Sequence, residues 1–128
     1  MPKGPELHGI ILVVATPFLD EGAVDYDGLR AVARYCLAQG AHGLAATGEA
    51  SESSKLTPEE RRRSVEIIAE ELRGQAWLVV GVTAPERSIA AALARHAASM
   101  GAAAVFATPR GEEGGHVRRH LHLLRHHR

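Results

Sequence analysis

The sequence predicts an α/β fold organised around a parallel sheet. Four short, unbroken apolar runs begin near residues 10, 43, 77 and 103, and each is followed by a segment with helical apolar periodicity. The runs are continuous rather than alternating, as in strands with both faces covered by helices. The order is therefore βαβαβαβα, and right-handed crossovers place every strand-to-helix loop at one end of the sheet. Two architectures fit: an open doubly wound sheet, or the first half of an eightfold βα barrel. No glycine-rich dinucleotide fingerprint follows the first run, which weakens a nucleotide-binding version.

Residues 9–15 (GIILVVA), closed by Thr16-Pro17-Phe18, read as a first strand buried on both faces. Asp25 or Asp27 caps a helix through about Gln39, with Leu29, Val32, Ala33, Cys36 and Leu37 as its apolar stripe and Gly40 as its stop. Residues 42–46 form a short second strand of small side chains. Thr57-Pro58-Glu59-Glu60 joins a capping box (Thr57 with Glu60) to a proline at the first helical position. The helix that follows buries Val65, Ile68, Ala69 and Leu72, pairs Glu59 with Arg63 and stops at Gly74. Residues 77–82 (WLVVGV) are the third strand. Thr83 and Glu86 repeat the capping-box spacing before a third helix with Ile89, Leu93, Ala97 and Met100 inside, and Gly101 ends it. Residues 103–107 are the fourth strand, ending in Thr108-Pro109 as the first ends in Thr16-Pro17.

The chain divides into a leader at 1–8, a body at 9–109 and a basic, histidine-rich segment at 110–128 that reads as a helix with Val117, Leu121 and Leu124 on one face. Arg110, Arg118, Arg119, Arg125 and Arg128 outweigh Glu112 and Glu113 there. His116/His120 and His122/His126 stand at i, i+4, a spacing able to hold a metal ion on a helix, but no carboxylate or cysteine completes a set, so a solvated helix face is the expectation. Over all 128 residues the 15 Lys+Arg balance the 15 Asp+Glu, which gives no global argument for nucleic acid or membrane. The single cysteine, Cys36, lies on a helical apolar stripe and reads as a buried thiol, with no intrachain disulfide available. The leader lacks an apolar signal core and no run is long enough to span a bilayer, so a cytoplasmic protein is expected.

The functional candidate is Gly43-Leu44-Ala45-Ala46-Thr47-Gly48-Glu49. An apolar run there ends in a Thr-Gly turn ahead of a capped helix, the form of a ligand-bearing βα loop. Gly48 permits close backbone approach, and Thr47 offers a hydroxyl and an N–H to an anion such as a carboxylate or phosphate. The same residues also read as a plain strand-to-helix turn.

In order, GIILVVATPF, YCLAQG, GLAATGE, LTPEERR, WLVVGV and ATP resemble the first half of the dihydrodipicolinate synthase and N-acetylneuraminate lyase family. The resemblance runs from about Gly9 to Pro109, and EEGGHVRRHL is similar to the family's fourth helix. It implies the first half of a TIM (β/α)8 barrel, and a class I aldolase in which a lysine forms a Schiff base with pyruvate or a related 2-oxo acid, without a cofactor. It also implies that Thr47 and Gly48 grip the keto-acid carboxylate, with Ala46 beside them where the family often has a threonine of the proton relay. The loop from Ala50 to Lys55 is about three residues longer than the family's, with polar residues suited to a solvent-exposed turn. Arg110 follows Thr108-Pro109 where many members carry tyrosine. The family's Schiff-base lysine and acid/base tyrosine belong to later strands, whereas Lys3 and Lys55 are the lysines present, so no catalytic residue is expected here.

The resulting expectation is a truncated family member that keeps the 2-oxo acid loop without the covalent chemistry. Its partners would be a small 2-oxo acid and, because four βα units leave strand edges open, a second copy or a complementing second half-barrel, with no nucleic acid or membrane. The alternatives are restored catalysis in such an assembly, or a non-catalytic interaction module using the basic tail.

Overall fold

A computed structural model of the chain describes residues 9–108, with Glu49 as backbone only, and the backbone of 120–123. The parallel strands are β1 (Ile11–Val13), β2 (Gly43–Ala46), β3 (Trp77–Gly81) and β4 (Ala104–Ala107). Helices α1 (Tyr26–Ala38), α2 (Pro58–Leu72) and α3 (Arg87–Ser99) connect them. Strand order follows chain order, β1-β2-β3-β4, with all three contacts parallel. A doubly wound sheet would reverse direction at its switch point. The sequential order is that of a singly wound barrel wall, the second of the two architectures open from the sequence.

The two faces of the wall differ. Leu44, Val80 and Val105 join Leu29, Ala33, Val65, Ile68, Leu93 and Ala97 from the helices in one continuous core. The opposite face carries a separate cluster of Ala45, Val79 and Ala104, which register opposite one another across β2, β3 and β4, with Ile11 and Phe106 packed against them. All of its members come from strands, as on the inward face of a barrel wall, which the strands' own side chains fill. β1 is not covered on both faces as its apolar run suggests: Val13 is 46% exposed and Ile10 61%.

Local chemistry sets the helix ends. Asp25 caps α1, its carboxylate accepting from the Gly28 amide at 2.9 Å. At α2 the capping box is complete, with Glu60 N–H donating to Thr57 Oγ1 and Thr57 N–H to Glu60 Oε1. Such a cap contributes about 1 kcal/mol. Gly40, Gly74 and Gly101 follow the three helices with φ of +91°, +69° and +86°, the left-handed turn that glycine adopts without strain.

Four expectations are corrected. Glu86 is the N-cap of α3 without a side-chain bond, because the Thr83 hydroxyl is taken by the Thr108 amide at 2.8 Å. Arg63 reaches Glu66 (3.5 Å) and Glu70 (3.9 Å) rather than Glu59. The loop after β2 folds into two short 3-10 turns, Glu49–Ser51 and Ser53–Lys55. Ser51 within it is 1% exposed rather than solvated, its hydroxyl donating to the Val14 carbonyl at the end of β1. In the basic segment, His120–Leu123 form a strand, β5, antiparallel to β4, where a helix is expected over 110–128. The physical reason is the open edge of β4, whose amides and carbonyls need partners. The rest of that segment, including His116 and His126, lies outside the described residues, as does the leader.

An ionic clamp joins α1 to α2. Arg30 donates to Glu70 (2.9 Å) and Glu71 (2.7 Å), and Arg34 to Glu71 (2.6 Å). The hydrogen bonds from Arg30, then Arg34, hold the Glu71 carboxyl below its ordinary value of 4.5. Between the lowered folded value and 4.5 the unfolded chain binds the proton more readily, so the clamp's stabilisation is present above that window and lost as pH falls through it. Urea midpoints should drop on acidification through this range, and less steeply in Glu71→Gln. An identical acid slope in the two proteins would refute the role of Glu71.

Candidate functional site

The C-terminal ends of the four parallel strands open onto a cleft of about 850 Å³ lined by Val13, Thr47, Gly48, Arg61, Thr83, Phe106 and Thr108 among others. β2 delivers the first of its polar groups. Alternation along the strand turns Ala45 inward and Ala46 outward into the helix-side core, where it is fully buried. Ala46 is therefore not among the residues lining the cleft, and of the three expected site residues the structure brings Thr47 and Gly48 there together.

Thr47 sits at φ +55°, a left-handed conformation that costs a β-branched residue roughly 1–2 kcal/mol. Its hydroxyl offsets this by donating to the Gly81 carbonyl at 2.8 Å, in a setting where Thr47 is 3% exposed. The side chain thus anchors to β3 a turn whose residues, Thr47 and Gly48, line the cleft. Gly48 accepts on its carbonyl from the Ser51 and Ser53 amides, which closes the turn. A Cβ on Gly48 would meet the Phe106 ring at 3.1 Å, so the aromatic side chain lies directly against the turn.

Two residues that the sequence reading passed over complete the site. Gly81 ends β3, and a Cβ there would stand 2.4 Å from the Thr47 carbonyl oxygen and 2.9 Å from the Phe106 ring. A lone glycine inside an apolar strand run is the available signal for such close backbone approach. Arg61, in the first turn of α2, is 5% exposed and donates to the Gly81 carbonyl (Nη2, 2.8 Å) and the Thr83 carbonyl (Nη1, 2.5 Å). Burial pulls its guanidinium below the ordinary arginine value, but arginine stays charged. Its signal is spacing: Arg61, Val65, Ile68 and Leu72 share one helical stripe, and a charge on the inward stripe is not a solvated one.

The residues that match the family model for the dihydrodipicolinate synthetase family are 6–109, most of the chain and all four parallel strands. The chain belongs to that family. Among curated relatives it is 38% identical over 106 residues to 4-hydroxy-tetrahydrodipicolinate synthase of Phenylobacterium zucineum, covering 82% of this chain and 36% of that protein. It is 38% identical over 104 residues to an uncharacterised DapA-like lyase of Halobacterium salinarum, covering 80% and 34%. Solved structures agree. CdNal from Clostridium difficile, crystallised in complex with mannosamine, superposes with a TM-score of 0.77 at 26% identity, over 80% of this chain and 36% of that one. YagE, a prophage protein of E. coli K12 in complex with pyruvate, gives 0.75 at 25%, over 84% and 36%. The chain thus spans about a third of the length of the relatives it matches, and its four parallel strands are the first half of a TIM barrel of the dihydrodipicolinate synthetase family.

Within this family segment the lysine in the described residues is Lys55, at the loop end of the wall. Its side chain is 68% exposed and paired with Glu52 at 2.7 Å. Among the described residues no group of three or more His, Cys, Asp or Glu is placed to hold a metal ion, and no helix is long and apolar enough to cross a membrane.

Proposed function

We propose that this segment binds the carboxylate of a small 2-oxo acid such as pyruvate, as part of a Schiff-base aldolase or lyase site whose lysine is supplied by strands outside it. The observation that carries the reading is the Thr47-Gly48 turn. It is tied to β3 by the Thr47–Gly81 bond at the end of β2 and lines the cleft. In such a turn the Thr47 and Gly48 amides are the donors for the carboxylate, because the Thr47 hydroxyl proton is already engaged. Fixed donors suit the chemistry: an aldolase has to hold the carboxylate still while the adjacent carbon becomes nucleophilic. The pyruvate complex of YagE supports the substrate class. Lys55 does not carry the covalent step, and in a full site the segment acts as the carboxylate grip.

Pyruvate is expected to slow hydrogen exchange at the amides of residues 47–49 while leaving the α1 amides unchanged. Uniform exchange across the chain with and without pyruvate would sink the proposal.

A further inference from the structure

Arg61 differs from the arginines that make ion pairs. Arg30, Arg34 and Arg63 each have glutamate partners. Arg61 is more deeply buried than any of these, yet among the described residues it has no carboxylate partner, and its Nε–H has no acceptor. Taking a guanidinium out of water without a counter-charge is unfavourable. Two main-chain carbonyls account for its Nη groups, but a neutral amide could bind carbonyls without burying a charge. The surroundings say what is missing. Arg61 is the one charged side chain described in the lining of the cleft, whose other polar side chains are the neutral Thr47, Ser53, Ser54, Thr83 and Thr108. That is a site with one positive charge and no described negative one, complementary to a small monoanion.

Arg61 also controls geometry. Its Nη2 and the Thr47 hydroxyl converge on the same Gly81 carbonyl, and its Nη1 holds Thr83, whose hydroxyl in turn accepts from Thr108. One guanidinium therefore links the ends of β2, β3 and β4.

We propose that Arg61 is the charge-supplying and positioning residue of the cleft, providing the buried positive charge for a small carboxylate monoanion while fixing the Thr47 turn through Gly81. The proposal rests on reading the cleft as an anion site and names the residue that balances the anion. It acts through the field of its charge and through Thr47, with no bond to the ligand required.

The test uses the full chain, with pyruvate and acetate as probes and the side-chain Arg61 Nε–H followed by nuclear magnetic resonance. Addition of pyruvate should shift this resonance together with the Thr47 and Gly48 amides. Arg61→Lys, which keeps the charge, should retain most of the affinity, and Arg61→Gln should lose roughly tenfold. A purely structural arginine would leave the affinity of every folded variant alike. If Arg61→Gln does not fold, the Nε–H response of the unaltered chain decides. Pyruvate binding with an unmoved Nε–H, or at full strength in folded Arg61→Gln, would overturn the role of Arg61 and leave the carboxylate site standing. Acetate binding that moves Nε–H while pyruvate does not bind would do the reverse. Binding of neither would overturn both.

Discussion

Gly81→Ala is expected to destabilise the chain by about 3 kcal/mol or more and to abolish carboxylate binding at the Thr47 turn. A new Cβ would stand 2.4 Å from the Thr47 carbonyl oxygen, and backbone cannot swing aside as a side-chain tip can. The Phe106 ring at 2.9 Å blocks the other escape. To admit the methyl group, β2 has to separate from β3 at its end. That would break the Thr47–Gly81 hydrogen bond and one of the two Arg61 contacts together. Urea unfolding followed by circular dichroism would measure the cost, and exchange at residues 47–49 the loss of the site. A variant of unchanged stability would show that the two strands do not approach so closely.

Leu44→Ala should cost about 2–5 kcal/mol, the range for deleting a buried leucine when the cavity cannot collapse. Leu44 is 0% exposed and stands between Leu12 on β1 and Leu78 on β3, where the sheet meets the helices. Against a total stability of order 5–15 kcal/mol this is a large fraction. Val13→Ala is the control, since that side chain is 46% exposed and its loss should cost far less. Equal urea midpoints for the two variants would contradict a core on the helix side of the wall.

Much of this architecture was legible in the sequence because it depends on local chemistry. The Thr57–Glu60 capping box and the three terminating glycines involve groups within a few residues and appear as read, and of the two caps open for α1, Asp25 and Asp27, the structure uses Asp25. Strand positions were legible from unbroken apolar runs. Strand order was not, since periodicity says which face is buried but not which strand is the neighbour, and motif resemblance was needed to favour the barrel. The failures share a cause. Thr83 and Ser51 read as a cap and part of a solvated turn until partners 25 and 37 residues distant claim them, the Thr108 amide and the Val14 carbonyl, and Arg61 was passed over because the Gly81 and Thr83 carbonyls it holds lie 20 and 22 residues away. Ala46 is a simpler case. Neighbouring residues on a strand point to opposite faces, and Ala46 falls in the helix-side core while Ala45 falls on the other face.

The antiparallel strand β5 gives the sheet a directional character. Its pairing with Ala104–Ala107 occupies the hydrogen-bonding row on the far side of β4. Among the described residues β1 has a strand neighbour on one side only, β2. Among the described residues the sheet is bounded by β1 on one side and β5 on the other. An eightfold barrel continues with a parallel strand beside β4, and that row of β4 is already taken by an antiparallel one. A further parallel strand can pair with β4 only where β5 gives way, whereas β1 offers its outer row directly.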